Sequence, residues 1–155
     1  MGGVAYLLAL FISLTLLSCG PTNFRVVAEY EAPSGGYRFL AKSGGVIPAG
    51  HQSARERDAS LEVEIILPNQ GEIIIARERG KESTNYVARR NLAVLTRDDH
   101  LEKVLRTVLS QVSLTLPEEE LRESLRAMDA VSGGPSSVLR DGQTKYLRVL
   151  WVQTE

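Results

Sequence analysis

The side chains of this sequence best suited to chemistry near neutral pH are two histidines, one cysteine and a few clusters of acid and base. His51 stands in a stretch rich in glycine and serine, with Glu56 and Asp58 a few residues on. An imidazole and two carboxylates can hold a cation, but zinc generally takes three or four ligands and this spacing matches no metal motif. His100 closes the run Asp98-Asp99-His100. A His-Asp pair is the base half of a nucleophilic triad, yet the sequence has no Gly-x-Ser-x-Gly, Ser-x-x-Lys or His-Glu-x-x-His pattern to complete it. Arg89 and Arg90 point to opposite faces of a regular strand and cannot converge on an anion. Arg77 and Arg79 share a face but sit among Glu78, Lys81 and Glu82, which fits a solvated strand end. The acids from Glu118 to Glu123 fit a solvated helix face. No catalytic residue, cofactor or metal site is assigned.

The lone cysteine, Cys19, cannot form an internal disulfide, so the fold must hold by packing. Residues 4–17 before it are an almost unbroken apolar run. That is short for a bilayer-spanning helix, which needs about 20 residues, and has the length of a signal-peptide core. Leu16-Leu17-Ser18-Cys19, followed by Gly20, resembles the lipobox of bacterial lipoprotein precursors. The resemblance covers residues 1–20 only, and Met1-Gly2-Gly3 lacks the basic residue usual before the apolar core. It implies a signal peptide over 1–18, a diacylglycerol on the Cys19 sulfur, cleavage before that residue, and a short tether over 19–23. In many Gram-negative bacteria an aspartate after the cysteine favours the inner membrane. Gly20 at that position implies the outer membrane, facing the periplasm.

Eighteen basic residues oppose nineteen acidic ones, all beyond Cys19. Such a balance argues against nucleic acid as a partner, because that binding is driven by a basic surface and counterion release. The length suits one domain over 24–155, large enough to bury a core without staples.

The elements that would position these residues follow from pattern. Residues 24–31 and 37–42 are strand-like runs around Pro33-Ser34-Gly35-Gly36. Residues 61–67 alternate Leu61, Val63, Ile65 and Leu67 against Glu62 and Glu64, then turn through Pro68-Asn69-Gln70-Gly71 into 73–76. Residues 86–95 predict one further strand. Asp141-Gly142 between 138–140 and 145–152 predicts a hairpin, with Phe39, Tyr146 and Trp151 as sheet-packing or core residues. Thr96-Arg97-Asp98-Asp99 resembles a capping box before the stripe Leu101, Val104, Leu105, Val108, Leu109 and Val112. Pro117 opens a second helix, whose narrower stripe of Leu121, Leu125 and Met128 predicts a place at the edge of the core. The expected fold is α+β: an antiparallel sheet of about five to seven strands with two helices packed on one face. Residues 43–60 show no period and predict a long loop.

Function is then expected from the anchor more than from any site. The leading expectation is a membrane-tethered envelope lipoprotein acting as a protein-interaction or structural module. Its partners would be the lipid bilayer, through acylated Cys19, and another envelope protein. The alternative is a small enzyme or ligand-binding protein acting on cell-wall or lipid material, with the 43–60 segment as lid or site.

Overall fold

Apolar side chains alternate along successive strands and collect on one face, which the helices then cover. The computed structural model describes residues 21–34, 36–47, 59–142 and 146–154. In chain order the elements are β1 (Thr22–Glu31), β2 (Arg38–Ile47), β3 (Ser60–Leu67), β4 (Gly71–Arg79), β5 (Thr84–Arg90), β6 (Ala93–Asp98), α1 (Leu101–Gln111), α2 (Glu118–Ser132), α3 (Pro135–Asp141) and β7 (Leu147–Thr154). The strands form one open antiparallel sheet in the order β6-β5-β4-β3-β2-β1-β7. The chain thus winds as a meander to β6, crosses through three helices, and lays its last strand beside its first. The fold is the expected α+β sheet with helices on one face.

The helix-covered face carries Phe24, Val26, Ala28 and Tyr30 from β1, Phe39 and Ala41 from β2, and Leu61, Val63, Ile65 and Leu67 from β3. Ile73 and Ile75 of β4 continue it. Helix α1 packs on β5 and β6, α2 crosses β1, β2 and β3, and α3 packs on α2 and β1. Val104, Leu105, Val108 and Leu109 of α1 are buried, as the helical spacing predicts.

Several elements differ from expectation, each for a local reason. Helix α2 is central and not peripheral, because Ser124, Ala127 and Ala130 are buried with Leu121, Met128 and Val131. Small residues there let the helix backbone lie close to the sheet, and a count of large apolar residues misses them. The capping box does not form: Thr96 to Asp98 finish β6, and the N-cap is His100, which makes no side-chain cap. Residues 86–95 are two strands, turned by Asn91 and Leu92 at φ +50° and +69°. Two positive φ values suit the right-handed twist of a hairpin, but without a glycine the turn is not visible in the sequence.

Residues 138–140 are helical, not a hairpin arm. Gly134 at φ +85° redirects the chain and Pro135 stands at the first helical turn of α3, where a missing N–H costs nothing. Finally, β2 runs on through Gly44 and Gly45 to Ile47, so 43–47 are strand and not loop. Gly45 lies opposite Phe24, and a side chain there would meet the Phe24 ring at 3.2 Å. The glycine that weakens the strand pattern makes room for that ring.

Candidate functional site

Asp98, Asp99 and His100 form the joint between β6 and α1. His100 Nδ1 lies 2.6 Å from Asp99 Oδ1 and 3.5 Å from Asp98 Oδ1. The His100 backbone N–H donates to Asp98 Oδ1 at 3.0 Å, and this bond leads the causes that hold the Asp98 carboxyl below its ordinary pKa. The three side chains offer ligand atoms within 4.8 Å of one another. They are consecutive in sequence, open to solvent in large part, and bonded among themselves. They stand just before the first turn of α1, where negative charge is favoured by the helix dipole.

The arginines have structural tasks. Arg77 and Arg79 share a face, as expected, and both donate to the carbonyl of Ala59, Arg79 at 3.2 Å. Together they clamp the backbone where β3 begins. Arg89 binds Glu78 at 2.6 Å on the helix-free face, and Arg97 reaches the same carboxylate at 3.8 Å. This bridge crosses Val87, which is fully buried although none of the described helices packs on that face. Arg90 turns away to the Gln70 carbonyl. Glu118 and Glu102 share Arg106, at 2.6 and 2.9 Å, tying α1 to the start of α2 and lowering the Glu118 pKa through the guanidinium hydrogen bonds.

Shallow recesses lie on the described surface. One of 280 Å³ is lined by Glu31, Tyr37, Arg38, Ile66 and Pro68, another of 220 Å³ by Asn23, Phe24, Arg25 and Gln153. Neither holds a histidine or a converging pair of carboxylates. Deeper, the Tyr30 and Tyr37 hydroxyls make no hydrogen bond although both are buried. Burial raises both phenol pKa values. Tyr30 stacks on Phe39 at 4.9 Å between centroids, and Tyr37 meets Tyr30 edge-on. This is a buried core of aromatic packing, with Tyr37 reaching the wall of the larger recess.

The outstanding surface feature is β7. Val149, Leu150, Trp151 and Val152 are 40, 46, 45 and 42% exposed. Trp151 is therefore not a core residue, although Phe39 is buried and Tyr146 is partly buried against the core. The reason is position. The sheet ends at β7, and among the described residues the helices pack mainly over β1 and the strands beyond it, so Leu147 is buried at the start of β7 while Val149 to Val152 stay exposed. The register to β1 slips between Val27 and Ala28, which pair with Trp151 and Val149, leaving Leu150 as a bulge. The bulge interrupts the alternation and leaves an apolar run that a sequence reading takes for a buried strand. Arg148 is the one charged residue of the strand, and it pairs with Glu29 at 3.0 Å, a carboxylate shared with Arg38 at 3.3 Å.

Cys19 and the apolar run before it lie outside the described residues, as do His51, Glu56 and Asp58. Among the described residues no helix is long and apolar enough to cross a membrane. No family model matches the sequence, and no curated protein or solved structure matches it significantly.

Proposed function

We propose that this protein is a membrane-tethered bacterial envelope lipoprotein, held by an acylated Cys19, whose domain works by contact through the β7 edge. The observation that carries the contact reading is the exposed run Val149 to Val152 on an uncovered edge strand. Unpaired backbone groups beside apolar side chains are a template for another chain, and natural edges usually blunt it with charge, proline or cover. Support for the anchor is Leu16-Leu17-Ser18-Cys19 behind its apolar run. With β1 starting at Thr22, three residues from Cys19, the tether spans roughly 10 Å at most. The sheet would stand close against the bilayer, on the periplasmic side of an outer membrane if the host is Gram-negative. Its partners are then the bilayer and a protein of the envelope.

Two measurements test the reading. Mass spectrometry of the membrane-extracted protein should find an acylated N-terminal Cys19, and Cys19→Ala should release the protein from the membrane or block its processing. An intact Met1 terminus contradicts the anchor. A photoreactive residue at position 151 in living cells should capture a protein; capturing none contradicts the contact reading.

A further inference from the structure

We propose that the partner of the β7 edge is a second copy of this chain, joined by antiparallel pairing of β7 with β7 about a two-fold axis. The inference rests on the reading that this edge is a contact surface, and adds what occupies it. Four observations lead there.

The first is facing. Pairing with β1 places Leu147, Val149, Val152 and Thr154 on the helix-covered side, opposite Tyr30, Ala28, Val26 and Phe24. Arg148, Trp151 and Gln153 face the other side, opposite Glu29, Val27 and Arg25. Residues directly opposite in an antiparallel ladder must share a face. A two-fold axis between Leu150 and Trp151 sets Val149 against Val152 of the other copy, Arg148 against Gln153, and Leu147 against Thr154. Every one of these pairs shares a face. In a regular strand the period of two would set each residue against one of the opposite face in this register. The Leu150 bulge removes that mismatch, so the irregularity makes the strand match its own reverse.

The second is charge. The pairing puts the two Arg148 side chains at opposite ends of the ladder, each opposite a neutral Gln153 and each already held by its own Glu29. No like charges meet. The third is chemistry: the middle of the ladder becomes Val149, Leu150, Trp151 and Val152 from both copies, which are the exposed apolar residues of the strand. The fourth is closure. Among the described residues the other end of the sheet, β6, finishes in Arg97 and Asp98, charges that oppose strand addition, which leaves β7 as the more open edge. A single self-complementary edge gives a closed dimer and not a fibre.

The test uses the full-length chain in mild detergent. Native mass spectrometry across the micromolar range should show a dimer. Trp151→Lys, with an unchanged thermal melt, should weaken it at least about tenfold, since an edge lysine opposes strand addition. Val94→Lys on β6 should leave it intact. A second measurement fixes the register. In a Cys19→Ser background, an oxidised mixture of Val149→Cys and Val152→Cys proteins should give several-fold more disulfide-linked dimer than either variant alone. A wild-type chain that stays monomeric overturns the proposal. So does a dimer indifferent to Trp151→Lys, or one whose 149 and 152 positions do not crosslink. If position 151 captures only a different envelope protein in cells, the dimer is overturned and the contact reading stands; if it captures nothing, both fall.

Discussion

The two ends of the sheet solve the same physical problem in opposite ways. β6 is six residues long, ends in Arg97 and Asp98, and has α1 packed against it. Its exposed large apolar residues, Leu92 and Val94, are separated: one sits in a turn, the other opposite Arg89. β7 is eight residues long, carries one charge that is bound to its neighbour, and presents four consecutive apolar side chains. Edge strands invite pairing unless short, charged or covered. By that measure β6 is guarded and β7 is open. Among the described residues, β7 is therefore the more exposed and less charged of the two sheet edges.

The comparison presumes one rigid sheet behind both edges, and the largest expected effects come from breaking that sheet. Val108→Asp or Met128→Asp would each bury an unpaired charge against it. Each should cost several kcal/mol, roughly enough to unfold a marginal domain, as read by thermal or urea denaturation. Equal losses at the two positions would show that α2 is as central as α1.

A smaller effect is expected in the turn that leads into the guarded edge. Leu92 is 93% exposed at φ +69°, a conformation that suits glycine. Leu92→Gly should therefore stabilise the domain by up to about 1 kcal/mol; a loss would mean that Leu92 is buried by something in solution. Tyr37→Phe removes a buried hydroxyl without a partner and should be neutral or stabilising by about 1 kcal/mol. On the open edge, Trp151→Lys should change the stability of the single chain by less than about 0.5 kcal/mol while weakening the proposed dimer at least about tenfold. That split between folding and contact is what a core tryptophan would not show.

The smallest effects are in acid. Glu118 titrates below its ordinary 4.5 because Arg106 holds it. Its contribution is complete above that value and fades as the pH falls through the lowered one. Glu64 is raised, first by its hydrogen bond with Glu72 and then by burial and repulsion. Its charge is a penalty above the raised value, relieved as the pH falls through it. Mild acidification should thus relieve strain at Glu64 before the Glu118 contribution is lost. Glu64→Gln should flatten the first change and Glu118→Gln the second, in melting temperatures followed across acid pH.

Much of this fold was legible because its strands alternate cleanly. Leu61, Val63, Ile65 and Leu67 against Glu62 and Glu64 declare one buried face, and the α1 stripe declares another. What was hidden involves residues whose role depends on a neighbour distant in sequence. Gly45 reads as a loop until Phe24 is seen lying on it. Ser124 and Ala127 read as polar or neutral until the sheet is seen beneath them. Asp141-Gly142 reads as a hairpin turn, whereas Gly142 closes α3 with its N–H on the Val138 carbonyl at 2.9 Å. Trp151 lies in the sheet, paired with Val27, as its strand run predicts, but its exposure follows from the place of β7 at the end of the strand order, which the run itself does not carry.

The most direct test of the account is photocrosslinking at both edges in the same cells. A photoreactive amino acid at position 151 and, separately, at position 94 would be illuminated in growing bacteria and the adducts identified by mass spectrometry. A strong adduct is expected from 151, linked to the 147–154 strand of a second copy, and none from 94. Equal capture at the two positions, or capture at 94 alone, would contradict the claim that β7 is the open edge.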